Sequence, residues 1–212
     1  MGAADGHHAH SHLTDGIDDP LVDAAARIMD RDGLAGLSIS AISEEAGLSR
    51  VTLHRRGARL DDYLVAVLGR ASTDLRASLW PVLTGPGTAE DRMRNALEIL
   101  CEVCERHTGV MTAMYATPAR PLPDEPGRTT SMQFIEPFER LLRDGVLDGS
   151  LVCEDPVSDA TLVANAVAWT YLHMRQAHRW DRATASTQMI RLAMAHLLPA
   201  SATATGAAQR RR

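Results

Sequence analysis

Apolar residues recur at spacings of three and four along most of the chain, which is the pattern of amphipathic α-helices. The first such stretch begins near Asp19, and Pro20 suits its opening turn. Because Asp32 and Gly33 follow the periodic residues, the pattern predicts that this helix ends there. Its apolar positions are Leu21, Val22, Ala25, Ala26, Ile28 and Met29.

A short second helix is predicted between Ser38, a favourable N-cap, and Gly47, which suits a left-handed turn. Its buried stripe consists of Ile39, Ile42 and Ala46. Ser49 is the expected cap of a third helix that begins soon after the second one ends. Leu48 lies where it can fill the angle between these two helices. The arrangement predicts a helix-turn-helix.

The remainder of the chain predicts further helices at about residues 61–83, 88–107, 109–116, 130–143, 157–179 and 182–198. Thr88 and Asp91 form a capping box, and Pro137 predicts a kink in its helix. Prolines between residues 117 and 128 predict a loop. The last two helices are apolar on more than one side, and a second copy of the chain is the simplest partner for the extra side.

Composition supports the same fold class, because 45% of the residues are apolar but only eight are aromatic. Cores of that kind favour helices over a β-sandwich. We therefore predict an all-α protein of about nine helices, with a helix-turn-helix domain at 14–62 and a larger helical domain at 63–199 that carries the dimer contact. The His-rich segment 1–13 and the segment 200–212 are expected to be disordered tails.

Several function classes are disfavoured by the sequence. No apolar run approaches the ~20 residues of a membrane span, and the first 15 residues do not resemble a signal peptide, so we expect a cytoplasmic protein without a membrane partner. Three cysteines are too few for a disulfide framework. No nucleophile and base pair, phosphate loop or paired carboxylates stand out, so we expect no enzyme and no cofactor.

Nucleic-acid contact requires a local basic patch, because the net charge of the chain is −5. Residues 49–60 supply that patch, with four arginines and no acid. At about 100° per residue, an inward Leu53 places Val51 and Arg55 on the opposite face, where arginine can pair with guanine and valine can touch a thymine methyl. The predicted DNA-contacting residues are Ser38, Ser40, Ser49, Arg50, Val51, Thr52, His54, Arg55, Arg56 and Arg59.

The run from Leu21 to Gly33 and the run from Ile42 to His54 resemble the DNA-binding domain of the tetracycline-repressor (TetR) family, over about residues 17–68. The resemblance implies a bacterial regulator that forms a homodimer of nine-helix subunits, binds an inverted-repeat operator in double-stranded DNA and holds a small-molecule effector in each C-terminal domain. This chain differs from the family pattern at three positions. His54 replaces a usual Tyr, Gly57 an aromatic and Leu60 a usual Lys.

Two sets of residues are candidates for the sensor. An effector pocket is predicted to be lined by Cys104, His107, Met111, Met114, Tyr115, Phe134, Phe138, Trp169, Thr170, His173 and Met174. Alternatively, Cys101, Cys104 and His107 follow one another at i, i+3 and i+6 on one predicted helix, where they could serve as a thiol redox trigger or the beginning of a metal site. No fourth ligand is visible by spacing, so no metal site is assigned. A helical enzyme or small-molecule carrier is a weaker alternative.

Overall fold

The computed structural model describes residues 19–49, 53, 59–116 and 132–199, and eight α-helices make up most of them. They are α1 (Asp19–Gly36), α2 (Ile39–Glu45), α3 (Leu60–Thr84), α4 (Ala89–Arg106), α5 (Thr108–Ala116), α6 (Met132–Asp148), α7 (Pro156–Gln176) and α8 (Arg182–Leu197). No strand occurs among these residues, and the prediction of an all-α protein is confirmed. The helix predicted from Ser49 onwards lies mostly outside the described residues.

The described residues form two compact units. The first contains the residues up to Ala71 together with those of His107–Thr117, and the second contains those of Ser72–Arg106 and those after Pro118. In the first unit α1 packs on α2 and on α5. The backbone amide of Gly109 donates to Asp30 Oδ1 at 2.8 Å, which fixes the start of α5 against α1.

At the predicted end of α1, the helix is interrupted but does not stop. Gly33 has φ 68° and ψ −173°, which is not a helical conformation, and helical residues resume up to Gly36. Only glycine adopts this backbone geometry without a steric penalty. The apolar face of α1 before that point is buried, and it includes Leu21, Ile28 and Met29.

The second unit is a bundle in which α7 packs against α4, α6 and α8. Its core includes Leu97, Phe138 and Tyr171. Thr88 caps α4 as predicted, because the Asp91 amide donates to Thr88 Oγ1 at 3.2 Å. The second half of the predicted capping box differs, since Asp91 Oδ2 accepts from the Thr88 hydroxyl at 2.8 Å and not from the Thr88 amide. Two further groups cap the same end from the last residue of α6 and the turn after it: the amide of Ala89 donates to Asp148 Oδ2 and that of Glu90 to Ser150 Oγ.

Three helix ends differ from the prediction, and one of them is the end of α7, which lies at Gln176 and not at the predicted position 179. The fourth helix ends at Arg106, so His107 is a turn residue. The sixth helix continues to Asp148, five residues beyond the predicted position 143. Gly145 lies inside this helix, at a point where Leu151 is so close that a Cβ at position 145 would be 2.6 Å from its side chain. Tertiary packing at that point overrides the low helix propensity of glycine.

Candidate nucleic-acid interface and effector region

Helices α1 and α2 are joined by ion pairs from two arginines to one glutamate. Arg27 Nε lies 2.8 Å from Glu45 Oε1, and Arg31 Nη1 lies 3.1 Å from Glu45 Oε2. The hydrogen bonds from Arg27 and then from Arg31 lower the pKa of the Glu45 carboxyl below its ordinary value. Helix α1, which supports α2, therefore holds the last turn of α2 through both carboxylate oxygens of Glu45.

The turn after α2 has the backbone geometry of a helix-turn-helix. Gly47 adopts φ 67°, which a side chain would make unfavourable. Ser43 is buried, and its hydroxyl donates to the Leu48 carbonyl at 2.6 Å while the Leu48 amide donates to the Ser43 carbonyl at 2.9 Å. Leu53 is buried, and its amide donates to the Ser49 carbonyl at 3.2 Å, as expected in the first turn of a helix.

Two other side chains of this region are buried. Leu53 and the polar Ser43 lie in the interior, and the sequence pattern did not single out Ser43. Leu48 is 36% exposed, and its place in the angle between the helices stays a prediction, because most of the third helix lies outside the described residues. A serine buried beside a turn glycine satisfies the turn's backbone carbonyl, a role that alternation of apolar and polar residues does not reveal.

Four predicted DNA contacts fall within the described residues. Ser38 caps α2, and its Oγ accepts from the Ala41 amide at 3.1 Å. Ser40 is half-buried, and Ser49 and Arg59 are exposed. The backbone amide of Arg59 donates to Asp62 Oδ2 at 2.7 Å. This bond does not involve the Arg59 guanidinium. The other six predicted contacts, Arg50, Val51, Thr52, His54, Arg55 and Arg56, lie outside the described residues.

The predicted effector residues are divided between the two units. The first unit holds Met111, which is buried, and His107, Met114 and Tyr115, which are half-buried. The second unit holds the rest. Of these, Cys104, Phe134 and Phe138 are buried and Thr170 and Met174 are half-buried, whereas Trp169 and His173 are exposed.

Trp169 and His173 therefore do not fit the expectation that they line an interior pocket. They belong to an exposed stripe on α7, with residues at spacings of three and four that point away from the core of the second unit. The stripe consists of Ser158, Leu162, Ala166, Trp169, His173 and Gln176. The rings of Trp169 and His173 stack with their centroids 6.1 Å apart.

The two cysteines of α4 are packed in the interior. Cys101 and Cys104 are both buried, and desolvation is the largest cause that raises the pKa of Cys101 to about 12 and shifts that of Cys104 in the same direction. Such thiols stay protonated, and the thiolate is the form that reacts and binds metals. His107 also lies beyond the end of their helix. These observations oppose the redox or metal sensor proposed from the spacing.

A polar cluster that was not predicted joins α4 to α7. The Tyr171 hydroxyl donates to Glu105 Oε2 at 2.7 Å, and Arg175 donates to both carboxylate oxygens of Glu105 at 3.1 and 2.5 Å. Hydrogen bonding from Arg175 is the largest cause that lowers the pKa of Glu105. These residues are sequence neighbours of Cys104, Thr170 and Met174. Isolated charges on a helical pattern are normally solvated, so the sequence contains no signal that pairs these three.

The turn with Gly47, the buried Leu53 and the supporting helix α1 have the arrangement of a helix-turn-helix. Residues 21–56 match the family model described as bacterial regulatory proteins of the tetR family. This match covers the helix-turn-helix region of the chain, and the all-helical fold of the described residues agrees with it. No curated protein matches the chain in sequence.

Solved structures of regulators share the fold. SmeT, the repressor of the Stenotrophomonas maltophilia multidrug efflux pump SmeDEF, is 18% identical and has a TM-score of 0.62, with 89% of this chain and 94% of SmeT covered. SmeT in complex with triclosan gives 18% identity and a TM-score of 0.61, with 85% and 91% covered. PfmR of Thermus thermophilus, a TetR family transcriptional regulator, gives 17% and 0.60, with 81% and 95% covered.

Similarity at these identities establishes a common fold. Among the described helices, none is both long and apolar enough to cross a membrane.

Proposed function

We propose that this protein is a cytoplasmic transcriptional repressor that binds an inverted-repeat operator as a homodimer and is modulated by a small-molecule effector. The observation that carries the proposal is the turn closed by Ser43, Gly47 and Leu53, because it sets the geometry from which the next residues enter a major groove. The segment that follows this turn, residues 49–60, contains four arginines and no acid. A basic surface on such a frame fits the phosphate backbone and the base edges of DNA.

Base contacts are assigned to the face opposite Leu53. With Leu53 inward, Val51 and Arg55 face outward at about 100° per residue, and Thr52 and His54 flank them. Arg50 lies near the helix start, which is the part that enters the groove deepest. Ser38, Ser40, Ser49, Arg56 and Arg59 are proposed to contact phosphates or sugars and thereby to fix the register of the protein on the duplex.

Dimerisation is assigned to the exposed apolar side chains of α7 and α8. Leu162 is 58% exposed, Trp169 44% and Leu192 66%. The two helices run antiparallel, because His196 near the end of α8 lies 3.5 Å from Asp159 near the start of α7. Leu162 and Leu192 therefore lie at similar levels along the two helices, and a second copy of the chain is the partner that a two-fold operator requires.

Effector binding is the least specific part of the proposal, because it names a kind of ligand and a region of the second unit. The complex of SmeT with triclosan is an example of a protein of this fold that binds a small molecule. In the second unit of this chain, Thr170 and Met174 are the half-buried residues of the predicted set, and they combine side-chain access with contact to a core. A thiol sensor is a weaker proposal because Cys101 and Cys104 are buried and protonated.

The test begins with selection of bound fragments from genomic DNA, which should yield a palindromic consensus. Arg55→Ala is then compared with Arg56→Ala and Arg59→Ala on operator and scrambled DNA over a salt series. We expect Arg55→Ala to weaken operator binding by about 1–3 kcal/mol and to relax one operator position. Arg56→Ala and Arg59→Ala should weaken binding to both DNAs and reduce the slope of log affinity against log salt by about one unit.

The matched control is Arg140→Ala, which removes an exposed arginine from α6 in the second unit and should leave both affinities unchanged. An asymmetric half-site bound by a stable monomer would contradict the dimeric repressor. If Arg55→Ala lowered affinity for both DNAs equally while Arg56→Ala changed base preference, the orientation assigned to the segment after Ser49 would be wrong.

A further inference from the structure

The turn between α7 and α8 is held in an unusual conformation. Arg179 has φ 57° and is the only residue other than glycine with a positive φ in the part of the chain that the structure describes. For an L-residue this conformation costs about 1–2 kcal/mol. Two hydrogen bonds that join Trp180 to the end of α7 stabilise the turn around Arg179. The Trp180 amide donates to the Met174 carbonyl at 3.1 Å, and Arg175 Nη1 donates to the Trp180 carbonyl at 2.5 Å.

This turn brings two histidines together at the end of α7. The ring centroids of His173 and His178 lie 5.1 Å apart, with an angle of 76° between the ring planes. Both residues are exposed. Within the described residues neither imidazole has a hydrogen-bond partner, so all four ring nitrogens are open to solvent or to a ligand. Trp169 supports the pair by stacking on His173 from the preceding turn.

The spacing of these rings suits a shared metal ion. Imidazole nitrogen binds a divalent transition metal at about 2.0–2.1 Å, and the ring centre lies roughly 1 Å further out. Two imidazoles on one tetrahedral ion therefore have ring centres about 5 Å apart. Rotation about the terminal side-chain bond, which is easy for exposed imidazoles, is then sufficient to turn one nitrogen of each ring towards the ion.

We propose that His173 and His178 form a two-histidine site for a divalent transition-metal ion at the turn between α7 and α8. Copper, nickel and zinc are the ions that imidazole ligands suit. Among the described residues no group of three or more His, Cys, Asp or Glu could hold a metal, so water completes the coordination of this site. The partial negative charge at the end of α7 favours a cation there, whereas the exposed Arg179 opposes one.

The experiment must separate this pair from the histidines of the N-terminal segment. We therefore use the full chain with His7, His8, His10 and His12 changed to alanine, and titrate it with Ni²⁺ by calorimetry at neutral pH. We expect one Ni²⁺ per chain. His173→Ala and His178→Ala should each weaken binding at least tenfold, because a chelate becomes a single imidazole.

His196→Ala is the matched control, since it removes another exposed histidine from a helix end and should leave the affinity unchanged. The second readout is quenching of tryptophan fluorescence by bound Ni²⁺. Trp169→Phe should reduce the quenching while the stoichiometry remains one. Both histidines are exposed, so their variants should fold, and circular dichroism checks that they do.

The proposal is overturned if the parent chain binds Ni²⁺ no more tightly than His178→Ala does, or if His196→Ala weakens binding as much as the paired variants. Its ligands, His173 and His178, are not part of the DNA-binding surface, although Trp169, which stacks on His173, also belongs to the proposed dimer surface. A chain that binds its operator but no Ni²⁺ would therefore refute the metal site alone.

Discussion

Gly109 marks the closest approach of α5 to α1, both of which belong to the first unit. A Cβ at this position would lie 2.4 Å from the carbonyl carbon of Met29, 2.5 Å from its oxygen and 2.6 Å from the Asp30 nitrogen. Carbon atoms in contact normally lie about 3.5–4.0 Å apart. All three neighbours are backbone atoms, so none can rotate away, and Gly109→Ala forces α5 off α1.

The expected destabilisation is the balance of three effects. Overpacking costs about 1–3 kcal/mol, and weakening the hydrogen bond from the Gly109 amide to the Asp30 carboxylate costs about 1.5–3 kcal/mol. Alanine offsets about 1 kcal/mol through its higher helix propensity. We therefore expect Gly109→Ala to lower the free energy of unfolding by about 1.5–5 kcal/mol, which corresponds to a fall in Tm of roughly 3–20 °C for a chain of this length.

Gly69→Ala is the matched control, because Gly69 is an exposed glycine in α3, in the same unit, with nothing within 4 Å of its added Cβ. That change should stabilise the protein by about 0.5–1 kcal/mol. Thermal unfolding by circular dichroism gives the overall shift, and hydrogen exchange of the α1 amides reports on the first unit. A neutral or stabilising Gly109→Ala would show that α5 does not approach α1 as closely as described.

Three further predictions concern the dimer, the α1 to α2 contact and the thiols. Leu162→Asp and Leu192→Asp should give monomers in sedimentation and weak operator binding in anisotropy assays. The control Leu147→Asp, at a leucine on α6 that is 85% exposed, should leave the dimer intact, and dimers in all three variants would refute the assigned surface. The lowered pKa of Glu45 contributes stability that is present above its ordinary pKa of about 4.3 and is lost as pH falls through the pKa of the folded state. Glu45→Gln should therefore make the loss of stability in acid shallower, and an unchanged pH profile would count against the ion pairs. Cys153 is the only partly exposed cysteine, so Ellman's reagent should modify one thiol per native chain and three after unfolding; two fast thiols in the native state would contradict the burial of Cys101 or Cys104.

Features that depend on a few neighbouring residues could be predicted from the sequence. Ser38 caps α2, Gly47 turns the chain after it, and Thr88 with Asp91 begins α4, as the pattern indicated. In each case the side chain acts on backbone within four residues of itself, so local sequence contains all the necessary information. The inward orientation of Leu53 follows from the same kind of periodicity.

Contacts between distant segments could not be predicted in this way. Asp148 caps α4 from 59 residues away, and Asp30 holds Gly109 across 79 residues. Glu105, Tyr171 and Arg175 likewise meet only because α4 packs on α7. The sequence around each of these side chains is equally compatible with exposure to solvent. Only the packing of the helices determines that the side chain instead bonds a distant segment.

The soft metal ligands show how exposure decides chemistry that spacing suggests. Cys101 and Cys104 have a spacing that suits a metal site, yet burial keeps both thiols protonated, and an ion would have to enter a packed core to reach them. His173 and His178, five residues apart across a helix end, have no recognisable spacing. The left-handed Arg179 nevertheless places their rings 5.1 Å apart in solvent, with nitrogens that need lose no existing hydrogen bond. If this protein senses a metal, the ion therefore meets the imidazoles at the α7 to α8 turn before it meets a thiol of α4.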